Sequence, residues 1–120
     1  MATLAMALVS CSEPAQPLAI DNALTEAEIA AARLTPEVMW KMRRIGSAEV
    51  SADGKVVLYT VTDYSMAENR GITRIYTLDL EAGVTTELTD TSSNNTAAHW
   101  GGDGAIWFLS NRSGAMQVWR

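Results

Sequence analysis

Two stretches of the chain carry the same order of apolar and polar positions. Val50-Ser51-Ala52-Asp53-Gly54-Lys55-Val56-Val57-Leu58-Tyr59-Thr60 aligns without a gap on Trp100-Gly101-Gly102-Asp103-Gly104-Ala105-Ile106-Trp107-Phe108-Leu109-Ser110. In each copy an Asp-Gly pair lies just before an apolar run. Asp-Gly supplies the positive φ of a tight turn, so each copy reads as a turn followed by a strand. A further strand follows in each, Arg74–Leu80 in the first and Gln117–Arg120 in the second. Lys55–Thr62 is apolar at both alternating sets of positions, which predicts a strand buried on both faces. Val84–Thr89 predicts a third strand after a short Glu81-Ala82-Gly83 turn, and Thr96–Trp100 a short strand leading into the second copy. Between them, Asp63–Thr73 reads as a polar loop and Asp90–Asn95 as a turn-rich connection.

The first third of the chain has a different texture. Thr25 with Glu28 has capping-box spacing, predicting a short helix through Glu26–Arg33. Thr35 as N-cap, Pro36 at the first helical position and Glu37 after it predict a second. Leu34 and Met39 have the spacing of a hydrophobic staple. This second helix is expected to run to Gly46, with Arg43 and Arg44 in its last turn. Residues 12–23, with Pro14 and Pro17 and no periodicity, read as a tether. Met1–Cys11 is small and apolar, the texture of the back half of a secretory signal.

All-β self-similarity at a period of about 50 residues is the size of a propeller blade, and one blade alone cannot bury both of its faces. The expected fold is therefore mainly β: an incomplete β-propeller of about one and a half four-stranded blades, preceded by one or two short helices. The expected divisions are a signal segment at 1–11, a tether and short helix at 12–33, a lead-in helix at 34–46, a first blade at 47–99 and a truncated second blade at 100–120.

With 120 residues and 48% hydrophobic content, the chain can build one modest core. Its net charge of -5 and scattered basic residues argue against a nucleic-acid surface. The single cysteine, Cys11, excludes an internal disulfide and a cysteine-based metal cluster. No phosphate-binding loop, calcium loop or metal-ligand spacing is present, so no cofactor is expected. The sole histidine, His99, lies beside Trp100 in a strand and reads as a structural residue. Trp100, Trp107, Phe108 and Trp119 are the main aromatic concentration and read as packing between sheets. Glu68 and Arg70 fall in the polar loop and read as solvated charges. Asn94-Asn95-Thr96 and Asn111-Arg112-Ser113 match the glycosylation pattern and read as exposed turns.

Val50–Lys55, its apolar strand, Ile75-Tyr76-Thr77-Leu78-Asp79-Leu80 and Glu87-Leu88-Thr89 together resemble the blade repeat of periplasmic propellers. Such blades occur in TolB-like proteins and in the N-terminal propeller of prolyl oligopeptidase-family serine peptidases. Leu34–Gly46 looks like the helix that introduces the propeller in bacterial dipeptidyl peptidases and acylaminoacyl-peptidase-like enzymes, and Tyr64–Arg70 like their first long blade loop. Ala52 and Gly102 stand where the family usually has proline, and Gly101 replaces its common serine. Leu8-Val9-Ser10-Cys11 also looks like a bacterial lipobox, which implies acylation of Cys11.

The resemblance implies the N-terminal fragment of a secreted or lipid-anchored serine exopeptidase, periplasmic or held at the outer membrane through Cys11. Its propeller would gate access of short peptides to a hydrolase domain further along the chain. The family's Gly-x-Ser-x-Gly nucleophile motif does not occur in these residues, and no catalytic residue is assigned to them. The implied partners are short peptides and the C-terminal hydrolase domain; contact with a membrane would be through the lipid alone. The alternative is a non-catalytic TolB-like envelope propeller that binds proteins. A self-sufficient small β domain is the third reading, and it would leave an unpaired apolar strand at Trp119.

Overall fold

The computed structural model describes residues 16–120. The proposed signal segment and Cys11 lie outside the described residues. Two short helices, α1 (Glu26–Ala31) and α2 (Pro36–Lys41), precede seven strands. Strands β1 (Arg44–Val50), β2 (Val56–Ser65), β3 (Arg70–Asp79) and β4 (Val84–Glu87) form a four-stranded antiparallel sheet in chain order. Strands β5 (Asn95–Trp100), β6 (Ile106–Ser110) and β7 (Gln117–Trp119) form a second, three-stranded one. The fold is thus mainly β, and neither sheet closes on itself among the described residues.

The internal repeat is structural. Gly54 and Gly104 both have positive φ, 74° and 77°. In the first turn the Gly54 amide donates to the Ser51 carbonyl at 2.9 Å, and in the second the Gly104 amide donates to the Gly101 carbonyl at 2.9 Å. The Asp53 and Asp103 carboxylates each accept from the amide two residues on, at 3.1 Å. The first strand of each sheet carries an irregularity, one position further along in the second repeat. Gly46 and Ser47 lie opposite Thr60 alone, and Ala97 and Ala98 opposite Phe108 alone. Two residues facing one is the geometry of a β-bulge, which bends and twists a strand.

Period-two alternation divides the residues of the first sheet between its two faces. Leu58, Thr60 and Ile75 lie on the face toward the second sheet. There Leu58, Ile75 and Ala98 form the buried core, with Trp100, Ile106 and Phe108 packed against it. Leu58 and Ile75 are each only 1% exposed. Burying a side chain of that size contributes about 1.5–3 kcal/mol, so this small cluster supplies much of the adhesion between the sheets.

Three sequence expectations are corrected. Helix α2 stops at Lys41, and Arg44 and Gly46 belong to β1, not to a helix ending at Gly46. The reason is tertiary: Arg43 is drawn to an acceptor in β2, as described below, and β1 pairs along β2. The loop expected at Asp63–Thr73 is mostly strand. β2 and β3 pair continuously from Val56↔Asp79 to Ser65↔Arg70, leaving only residues 66–69 as a turn. Asp63, at the start of that stretch, is buried and paired, and the strands run on past it. The asparagine run is also not simply an exposed turn, because Asn95 is fully buried and accepts from the Arg112 guanidinium at 3.1 Å.

Candidate functional site

The second face of the first sheet carries Tyr59 opposite Tyr76, Val61 opposite Arg74 and Asp63 opposite Ile72. Pairing of β3 with β4 adds Glu87 opposite Tyr76. Alternation in β2 therefore places a carboxylate, Asp63, on the same face as Val57, Tyr59 and Val61. Asp63 is 0% exposed, and a buried carboxylate must be fully paired to be tolerated.

Its partners come from three directions. Arg43, in the link between α2 and β1, donates through Nε to Oδ1 at 2.8 Å and through Nη2 to Oδ2 at 3.2 Å. Arg74 of β3 donates to Oδ2 at 2.5 Å. Asn22 donates from Nδ2 to Oδ1 at 2.6 Å, tying the segment before α1 to the sheet. The network continues outward. Arg74 donates to Glu87 at 2.8 Å, Arg43 donates to the Tyr76 hydroxyl at 2.9 Å, and that hydroxyl donates to Glu87 at 3.2 Å. The Arg43 and Arg74 guanidiniums both lie 5.5 Å from the centroid of the Tyr76 ring, within cation–π range.

The electrostatics follow from these contacts. Burial alone would raise the Asp63 pKa, but the hydrogen bonds and charges of Arg43 and Arg74 outweigh it and hold the carboxyl below its ordinary value. Asp63 raises Arg43 in turn. Burial opposes protonation of Arg74, yet Asp63 and Glu87 together keep its pKa raised. Burial pushes the Tyr76 phenol up. Near neutral pH Asp63 is therefore held as a carboxylate, Arg43 and Arg74 as cations and Tyr76 as a neutral phenol.

A cleft of about 510 Å³ opens over this network, bounded by Leu18, Ile20 and Asn22 on one side and by Arg43, Arg74 and Tyr76 on the other. Leu18 is anchored there, 3% exposed, with its amide donating to the Thr91 carbonyl at 3.0 Å. The arrangement contains no activated nucleophile and no group poised to exchange a proton near neutral pH. Chemically it can orient and hold: one carboxylate fixes the segment before α1, the α2–β1 link and two strands in register. Among the described residues no group of three or more potential metal ligands is found, and no helix is long and apolar enough to cross a membrane.

The residues singled out in sequence do not converge on this site. His99 is 69% exposed on its side chain, and its Nδ1 lies 3.1 Å from the Glu49 Oε2. Glu49 also accepts from the Trp100 amide at 3.3 Å, and its carbonyl accepts from the Trp100 indole at 3.4 Å. Glu49 and His99 occupy equivalent positions of the two repeats, so this link joins β1 to β5. Trp100 and Phe108 pack between the sheets, whereas Trp107 stays exposed with the Arg120 guanidinium 5.6 Å from its ring centroid. Glu68 and Arg70 pair with each other at 3.2 Å at the surface. Asp63, Arg43 and Arg74 were not identified as a group from sequence. The available signal was Asp63 continuing the alternation Val57, Tyr59, Val61 in an otherwise apolar register.

Comparison with known proteins places the chain beside peptidases. It is 36% identical over 86 residues to a dipeptidyl-peptidase 5 of Porphyromonas gingivalis, a match covering 71% of this chain and 13% of that protein. It is 31% identical over 86 residues to a dipeptidyl-peptidase 5 of Porphyromonas endodontalis, covering 71% of this chain and 12% of that protein. A match of 43% identity over 47 residues to an uncharacterized protein of Agrobacterium fabrum covers 38% of this chain and 16% of the other. The chain thus spans about an eighth of the length of the curated dipeptidyl peptidases it matches. No family model matches it.

Proposed function

We propose that this chain is the N-terminal part of an exported serine peptidase of the dipeptidyl peptidase type, and that its two sheets are the first blades of a β-propeller. The observation that carries the reading is the 36% identity over 86 residues to a dipeptidyl peptidase. The duplicated sheet supports it: the same turn and the same antiparallel strand order recur, each with an irregularity in its first strand, at a spacing suited to stacked blades. In the parent, peptide hydrolysis would proceed through an acyl-enzyme on a serine outside these residues, with histidine as general base and aspartate orienting it. The part given to this chain is architectural. Its blades would contribute to a ring that admits short peptides and excludes folded proteins, and the Asp63 network would fix the segment before α1 and α2 to the first blade. Acylation at Cys11 would hold the parent at the periplasmic face of a membrane.

The test is activity-based. The full-length parent, extracted from the cell envelope, is expected to react with a fluorophosphonate serine-hydrolase probe and to release dipeptides from short peptides but not from folded protein. Failure to label, with retained binding to envelope proteins, would favour the non-catalytic TolB-like alternative. Mass spectrometry of the detergent-extracted N-terminus reads acylation at Cys11 separately.

A further inference from the structure

At the far end of the first sheet, α2 and the β2–β3 turn enclose a cavity of about 460 Å³ that the proposed function does not use. Its walls include Ile20, Trp40, Tyr64 and Met66, with the carboxylates Asp21 and Glu37 at the margin. A second hollow of about 260 Å³ continues past Trp40, Tyr64 and Met66 toward Gly71. The volume falls in the range of small-molecule sites, which combine apolar walls with a few polar groups that fix orientation.

Two features decide what chemistry fits. The first is aromatic. Trp40 and Tyr64 meet edge to face with centroids 5.0 Å apart, and the Arg44 guanidinium lies 5.2 Å from the first ring and 4.7 Å from the second. This ring pair already attracts a cation from the chain itself. The second is charge. Lys41, the basic group lining the cavity, has its ammonium engaged by Glu28 at 2.8 Å and by the Ala23 carbonyl at 3.0 Å. Asp21 and Glu37 form no ion pair among the described residues. Arg70, which lines the second hollow, is paired with Glu68 at 3.2 Å; with Glu28 the surroundings hold four carboxylates against Lys41, Arg44 and Arg70, so the residual charge is negative. Met66, 59% exposed, and Trp40, 38% exposed, leave apolar surface for a ligand to cover.

We propose that this cavity is a binding site for an apolar amine, a molecule with an aromatic or branched aliphatic body and a protonated amino group. The body lies against Trp40, Tyr64 and Met66, and the ammonium faces Asp21 and Glu37. The site stands on its own geometry and does not depend on the parent being a peptidase.

The probe is phenethylamine, titrated into the full 120-residue chain while the indole N–H signals are followed by ¹⁵N NMR, with Trp40→Phe identifying the Trp40 signal. The expected result is a saturable shift of the Trp40 signal. 3-Phenylpropionate, of similar body and opposite charge, should bind at least about tenfold more weakly. The Asp21→Asn/Glu37→Gln double variant should lose about fivefold in affinity for the amine, the scale of a partly exposed ion pair. The same spectra show whether that variant remains folded; if it does not, the single variant Glu37→Gln and the two-ligand comparison decide. Equal shifts with both ligands, no shift with either, or undiminished amine binding in the folded variants would overturn the proposal. None of these outcomes bears on whether the parent labels as a serine hydrolase.

Discussion

Replacing Asp63 with asparagine perturbs the best-defined polar feature of the molecule with almost no change in shape. The carboxylate is 0% exposed and accepts from Arg43, Arg74 and Asn22. Asparagine keeps one acceptor oxygen but turns the other position into a donor that faces a guanidinium. Removing one partner of a buried ion pair costs about 3–5 kcal/mol. Arg43 is 49% exposed on its side chain and can recover water, whereas Arg74 is 13% exposed and cannot. The expected loss therefore lies near the bottom of that range, about 3 kcal/mol. For a urea m-value of about 2 kcal/mol/M the midpoint falls by about 1.5 M. Glu68→Gln, which breaks a surface pair exposed on both sides, is the control and should move the midpoint by less than about 0.5 kcal/mol equivalent. The further variant Asp63→Leu/Arg74→Met removes both charges and should recover part of the loss. If Asp63→Asn and Glu68→Gln unfold at the same urea concentration, the carboxylate does not organise this face.

The remaining expectations are briefer. Because the Asp63 pKa is depressed on folding, the unfolded chain binds more protons as pH falls. Its stabilisation is thus complete above the unfolded carboxyl value, about 4, and is lost as pH drops through the folded value; urea midpoints against pH should fall more shallowly in acid for Asp63→Asn than for the wild type. Leu58→Ala empties the centre of the inter-sheet core and should cost about 2–5 kcal/mol by urea unfolding; a loss below about 1 kcal/mol would mean the sheets do not pack as described. Gly54→Ala places a Cβ at φ 74° with open space around it, so only backbone strain is felt. It should cost about 1–2 kcal/mol, and a neutral result would put the turn in another conformation.

Local chemistry made some elements legible in the sequence and long-range chemistry hid others. The Asp-Gly turns, the β2 and β3 strands and the capping box of α1 depend on neighbours within a few positions. In that capping box the Thr25 hydroxyl accepts from the Glu28 amide at 3.2 Å and the Thr25 amide donates to Glu28 at 2.7 Å. Glu28 is held down to about 2 by Lys41 and by these Thr25 hydrogen bonds, and the Lys41 contact, 13 residues away, was not visible in the local pattern. Arg43 and Arg44 read as helix-end cations because that is where cations suit a helix dipole. Arg43 binds Asp63, 20 residues on, and Arg44 stacks on Trp40 and Tyr64. Asp63 read as the start of a loop because a carboxylate inside a buried strand is unusual, and only its three donors make it tolerable there. The cavity beside Trp40 had no sequence signature, since α2 and the β2–β3 turn meet only in the folded chain.

The central claim is that these sheets open the propeller of a serine peptidase, and it is tested most directly by reading the coding sequence in frame past Arg120. The account predicts further Asp-Gly blades at intervals of about 40–50 residues, followed within several hundred residues by a Gly-x-Ser-x-Gly motif and then, in chain order, an aspartate and a histidine. A frame that carries more blades and then stops, with no such motif, would contradict it.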